Sequence, residues 1–245
     1  MRVSILQHAG FEHAGTLRDF MHADGTRFDV AALDEGDALP KLDRYDALII
    51  LGGPMGPLDH DAHPWLVGET ECIREAVVDR ALPTLGICLG HQLLALALGG
   101  SLTCMTKAEV GVVDISFNEA GRRDPLFAGW QTVAPGLQWH DWQVGELPPG
   151  AIPLASTAAC PIQAMRAAPR AWGVQFHIEA YDQTVSEWLA PPGREEELKK
   201  HLGEDAHTIF ESETAQNMQR LNSDARRLFS NFTTLAQLPE RSVER

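Results

Sequence analysis

The first hundred residues alternate between short apolar runs and longer segments whose apolar residues recur every three or four positions, and this alternation limits the folds open to the chain. Residues 3–7, 27–33, 47–51 and 84–88 read as buried strands. Leu17, Phe20 and Met21 share a helical face, as do Leu66, Ile73, Ala76 and Val77 within a helix predicted over 65–80. Residues 89–98 form a predicted apolar helix stopped by Gly99-Gly100. Parallel strands need crossover helices, so the pattern predicts an α/β fold: three α/β/α layers around a mostly parallel, flavodoxin-like sheet. From Ser101 to Glu179 it changes to short strand-like runs divided by Pro and Gly, at 110–117, 133, 138–140, 152–155, 162–165 and 171–177. Beyond Pro191-Pro192-Gly193, a charged segment over 194–200 precedes Phe210, Thr214, Met218, Leu221, Ala225, Leu228 and Phe229. That spacing puts one apolar stripe on a helix of about six turns, expected to dock on its own domain. The expected organisation is one domain over 1–190 and a helical extension over 191–245.

Gly86-Ile87-Cys88-Leu89-Gly90-His91-Gln92 falls where a predicted strand meets a predicted helix. A nucleophile on such a turn is held clear of the sheet in a strained conformation, and glycines two residues to either side relieve crowding around it. Cys88 is expected to be exposed at the helix N-terminus, where the dipole and free N–H groups favour the thiolate. The Leu89 N–H is placed to stabilise an oxyanion, a donor class worth roughly 10²–10³ in rate. The remaining cysteines, Cys72, Cys104 and Cys160, read as inert buried thiols.

Gly173-Val174-Gln175-Phe176-His177-Ile178-Glu179 supplies a base and its partner. Positions i and i+2 of a strand share a side, so Glu179 is expected to hold His177 in the tautomer that accepts a thiol proton. Gly52-Gly53-Pro54-Met55-Gly56-Pro57 follows the third strand and opens on the same carboxyl edge of the sheet as Cys88. Its prolines remove donors and no phosphate-loop pattern is present, so it reads as a stiff turn aiming the Gly53 N–H at a developing oxyanion. Asp59-His60-Asp61-Ala62-His63 reads as a solvated loop, and no metal is expected. His91 lacks an obvious carboxylate partner, and His140 is expected to shape the pocket.

Composition narrows the function classes. The net charge of −14 argues against a phosphate-neutralising surface and against an anionic membrane face. No apolar stretch approaches the ~18 residues of a membrane span, and the N-terminal residues do not read as a secretory leader. Four cysteines without a C-x-x-C pair fit a reducing cytoplasm. At 245 residues there is room for one large domain and little for a second catalytic unit.

With the three glycine-bearing blocks in this order, the chain resembles the class I glutamine amidotransferases, in particular stand-alone proteins similar to the amidotransferase part of GMP synthase. The resemblance covers residues 1 to about 189. It implies that Cys88 forms a γ-glutamyl thioester, that His177 is base and then acid to the leaving ammonia, and that Glu179 orients it. It further implies an oxyanion hole from Gly53 and Leu89, a glutamine contact from Gln92, and no cofactor. Glu109-Val110-Gly111 and Asp124-Pro125-Leu126-Phe127 are similar to family landmarks and read as structural. In the family a His-Gly-Asp type turn contacts the α-groups of glutamine; here His140, Asp141 and Trp142 occupy that region, with Asp141 in place of the glycine. Trp142 raises a γ-glutamyl peptide or amine as substrate beside free glutamine. Ile178 replaces a frequent proline without changing the His-x-Glu spacing.

The expected activity is therefore hydrolysis of the γ-amide of glutamine or of a γ-glutamyl compound. One alternative is a glutaminase subunit delivering ammonia to a synthetase bound in trans. Another, of a different class, is a stress or chaperone protein that shares a cysteine elbow but lacks the His-x-Glu strand.

Overall fold

The structure, a computed structural model, describes residues 1–239. One nine-stranded sheet organises them, in the order β2-β1-β3-β4-β9-β8-β7-β5-β6. Five neighbouring strands are parallel: β2 (Arg27–Ala32), β1 (Arg2–Gln7), β3 (Ala47–Ile50), β4 (Thr84–Ile87) and β9 (Ala171–Val174). Their order is that of a flavodoxin-like sheet with β9 as the fifth strand. The remaining four, β8 (Ala164–Ala168), β7 (Ile152–Ser156), β5 (Ser101–Phe117) and β6 (Val133–Glu146), extend the same sheet antiparallel.

Alternation along β1 and β3 divides the core. Val3, Ile5, Ala47 and Ile49 face one layer, with Leu17 and Met21 of α1 (Gly15–Ala23). Leu6, Leu48 and Ile50 face the other, with Leu66 and Ile73 of α2 (Trp65–Arg74) and Leu93 and Leu94 of α3 (Leu89–Ala97). A π-type turn at Glu75–Asp79 continues α2. This is the three-layer arrangement that the alternating pattern implies.

Two expectations for the second half need correction. Residues 101–117 and 133–146 form two long paired strands, not a series of short ones. The pairing slips between Cys104 and Glu109, where β5 bulges, and the bulge breaks the period-2 pattern from which one strand would be read. The strand expected over 171–177 ends at Val174, and His177 makes only an isolated antiparallel bridge to Leu137.

A small helix, α4 (Glu119–Arg123), follows β5. After β9 come α5 (Thr184–Leu189), α6 (Arg194–Leu202) and α7 (Ala206–Gln237). The last spans 32 residues, so its stripe runs well past Phe229 to Phe232 and Leu235. Ala225, Leu228, Phe229, Phe232 and Leu235 belong to the same core as β1 and α1. Nearer its start, Phe210 and Leu221 join Trp188 and Leu198 in a separate cluster that includes Leu137 of β6.

Candidate active site

Cys88 occupies the junction between β4 and α3 with φ 51° and ψ −108°, a strained backbone for a residue with a side chain. Its N–H donates to Val174 O at 2.9 Å, and its own carbonyl accepts the Gln92 N–H at 3.1 Å. The thiol is 5% exposed, not open to solvent as expected. The first residues of α3, Leu89, Gly90, His91 and Gln92, are likewise buried.

The flanking glycines also serve a different purpose from the one expected. A Cβ at Gly90 would lie 2.2 Å from Ile50 O, and one at Gly86 would lie 2.4 Å from Gly90 O. What they permit is the close approach of the first turn of α3 to β3 and β4. Cys88 is positioned by that backbone packing.

His177 and Glu179 follow β9 in irregular backbone, yet His177 Nδ1–H donates to Glu179 Oε1 at 2.6 Å. The two side chains meet although the strand that would put them on one side ends at Val174. His177 N–H donates to Leu137 O at 2.9 Å, which anchors the segment. Trp188 packs against the imidazole with ring centres 4.5 Å apart. Cys88 lies near enough to act on the charge of the ring. Burial alone would lower the pKa of His177, but the Glu179 and Cys88 side chains outweigh it and hold the value well above 6.5. From the same segment, Gln175 Nε2 donates to Cys88 Sγ at 3.6 Å, a contact the sequence reading missed. Its signal was present, since Gln175 lies two residues before His177.

Gly52 seats the turn directly on this group: a Cβ there would lie 2.9 Å from His177 Cε1 and 2.8 Å from Glu12 Oε2. Behind it is a buried pair that sequence reasoning did not single out. His8 lies 2.8 Å from Gly52 O through Nδ1 and 2.8 Å from Glu69 Oε1 through Nε2. Gly52 O can only accept, so Nδ1 carries a proton, and a second proton on Nε2, facing the Glu69 carboxyl, makes the ring a cation. Burial opposes that charge, but Glu69 overcomes it and the His8 pKa is raised. The Gly52 carbonyl and the Gly53 N–H share one trans peptide, so His8 fixes the plane of the Gly53 donor and polarises it. His8 directly follows β1, but the sequence does not show that residue 8 meets residue 52.

The cleft has a volume of about 490 Å³ including its open mouth, and both Gly53 and Leu89 line it. Gln92 reaches its wall, but its amide nitrogen is engaged by Trp142 O at 2.8 Å and Gln175 Oε1 at 3.2 Å. Residues 138–142, in the region where the family has its turn, lie within β6 opposite the bulge of β5, as the strand-like run at 138–140 implies. Asp141 is exposed at the rim and Trp142 is half-buried. His140 is buried between Trp142 O at 2.9 Å and Glu109 Oε2 at 3.2 Å. Glu109 also accepts from Thr157 at 2.7 Å and Gln163 at 2.6 Å, so it knits strands together.

Other titratable groups separate from this cluster. His91 is fully buried against Ile162 O, and burial pushes its pKa down to about 3, which suits a neutral core residue. Burial raises the thiols of Cys72 and Cys160 to about 11 and about 12. Cys104, expected buried, is exposed, because it sits where β5 leaves its register with β6. In the 59–63 segment, Asp59 Oδ2 accepts the Gly56 N–H at 2.9 Å and closes the glycine-rich turn.

The model of the family described as glutamine amidotransferase class-I matches residues 17–189. The chain is 30% identical over 237 residues to the glutamine amidotransferase-like protein YfeJ of Salmonella typhimurium, covering 95% of this chain and 98% of that protein. It is 40% identical over 113 residues to one of the subunits of the glutamine-hydrolyzing GMP synthase of Pyrococcus abyssi, covering 46% of this chain and 58% of that polypeptide. Among solved structures, the glutamine amidotransferase of Thermotoga maritima superposes with a TM-score of 0.85 at 25% identity, over 97% and 99% of the two chains. That of Methylobacillus flagellatus gives 0.86 at 28%, over 97% and 96%.

Proposed function

Because the chain belongs to the class-I glutamine amidotransferase family, we propose that it cleaves the γ-amide of glutamine or of a γ-glutamyl compound through a thioester on Cys88. The observation that carries this reading is that Gly52 at the carboxyl edge of the sheet abuts both Cys88, which lines the cleft, and His177, which is hydrogen-bonded to Glu179 at 2.6 Å.

His177 takes the thiol proton while Glu179 holds the imidazole and balances its charge. The sulfur attacks the amide carbon, and the oxygen takes negative charge facing the N–H groups of Gly53 and Leu89. Collapse breaks the C–N bond as the imidazolium gives its proton to the departing nitrogen, which leaves as ammonia or an amine. Water, deprotonated by His177, then attacks the thioester; the C–S bond breaks and the free γ-carboxylate is released.

A second reading has one specific support, the likeness to a GMP synthase component that is a separate polypeptide. In it the ammonia passes to a synthetase chain. Co-purification with an ATP-using synthetase, with amide hydrolysis rising in the complex, would favour it over free hydrolysis.

The test uses a glutamine-mimicking electrophile, followed by peptide mass spectrometry and a panel of γ-glutamyl substrates. Labelling is expected at Cys88 and absent in Cys88→Ala, with turnover lost at least ~10³-fold. Label confined to the exposed Cys104, or no turnover of any glutamyl amide, would overturn the reading.

A further inference from the structure

The strand geometry of residues 138–142 leaves one chemical need unmet. A glutamyl substrate carries an α-carboxylate and an α-ammonium beyond its reacting amide, and recognition of such a head takes one group of each sign. These residues form strand in place of the family's turn, and Asp141 is exposed at the rim.

Three other charged side chains, Glu12, Arg194 and Glu197, line the same cleft. Arg194, the first residue of α6, lies with its guanidinium 3.9 Å from the centre of the Trp139 ring, and its side chain is only 14% exposed. Its Nε donates to Trp188 O at 3.4 Å and its Nη1 to Glu197 Oε2 at 2.9 Å. Among the described residues, Nη2 makes no hydrogen bond, so one edge of the planar fork remains open to an acceptor. Trp139 is itself braced by Phe210 and Trp188, at ring separations of 5.7 and 6.2 Å. The guanidinium is thus fixed before any ligand arrives.

Glu12 faces it from the segment after β1. It is 6% exposed, and its carboxylate accepts no hydrogen bond among the described residues. A buried carboxyl without donors lacks a partner it needs. Burial raises its pKa while His177 and Arg194 pull the other way, yet Glu12 and Arg194 do not form an ion pair with each other. The open fork edge and the unpartnered carboxylate therefore border one space that also reaches Cys88.

We propose that Arg194 and Glu12 form the binding site for the amino-acid head of the substrate, Arg194 taking its α-carboxylate and Glu12 its α-ammonium. This rests on the amide-cleaving reading and places part of the specificity on α6, outside the 17–189 region that matches the family.

Calorimetric binding to the Cys88→Ala protein tests it without requiring turnover. The probes are glutamine, 4-aminobutanamide, which lacks the carboxylate, and glutaramate, which lacks the ammonium. Arg194→Gln is expected to weaken glutamine roughly 10- to 100-fold and to leave 4-aminobutanamide unchanged; Glu12→Gln is expected to weaken glutamine and spare glutaramate. Arg194→Lys should restore part of the glutamine affinity. Equal loss for all three probes, no loss with Arg194→Gln, or no binding of glutamine at all would overturn the site. Cys88 labelling in the otherwise unchanged protein judges the chemistry separately: labelling with an unaltered binding pattern refutes the head-group site alone.

Discussion

His177 holds its proton because Glu179 and Cys88 prevail over burial, and the consequence for pH has a definite sign. A histidine whose folded pKa is raised stabilises the fold fully below the unfolded value near 6.5 and loses that contribution as pH rises through the folded value. His91 has the opposite sign: with a folded pKa of about 3, its contribution is present above 6.5 and lost as pH falls below it. In Glu179→Gln the carboxylate is gone, so the His177 titration followed by imidazole NMR is expected to move to lower pH. An unmoved midpoint would show that Glu179 does not set the charge of the base. Residue roles divide sharply in legibility. Cys88, and the pair His177 and Glu179, stand out as candidates because each lies in a short motif, although the sequence does not show that residue 88 lies near residue 177. Glu12, His8 and Arg194 were not, since nothing in their own neighbourhoods indicates what they meet.

At the scale of elements, the elbow depends on how closely α3 approaches the sheet. The Gly90 position lies against Ile50 O, so Gly90→Ala must push α3 away from β3. The expected loss is about 1–3 kcal/mol. For a chain of this length that corresponds to a fall in melting temperature of roughly 2–12 °C. Cys88 should also react more slowly with the electrophile, because its thiol moves with the helix. A variant with unchanged melting temperature and unchanged labelling would show that the helix has room to spare. Strand legibility failed at β5 and β6 for a related reason: a bulge is defined by its partner strand, and one strand alone does not display it.

For the whole molecule, α7 decides whether residues 191–245 are an appendage. Three of its side chains, Phe229, Phe232 and Leu228, are fully buried in the core that contains β1 and α1. At about 1.5–3 kcal/mol each, their burial alone rivals the ~5–15 kcal/mol by which a typical domain is stable. Truncation after Ala190 is expected to give a chain that does not unfold cooperatively, as followed by circular dichroism. A truncated chain with an undiminished melting transition would return the segment to the status of an independent extension. The same helix carries Phe210 beneath Trp139, so the packing that completes the core also supports the wall of the cleft.

The sequence by itself determined the layered α/β fold, the elbow and the His-x-Glu pair, because hydrophobic periodicity and short motifs encode contacts between residues close along the chain. Only the tertiary structure decided that Cys88 is covered, that His8 backs the Gly52-Gly53 turn, and that α6 brings Arg194 into the cleft. Those contacts join residues far apart in the chain. Their energies depend on burial and on which charges share a low-dielectric space, and neither exists until the sheet and its helices have assembled.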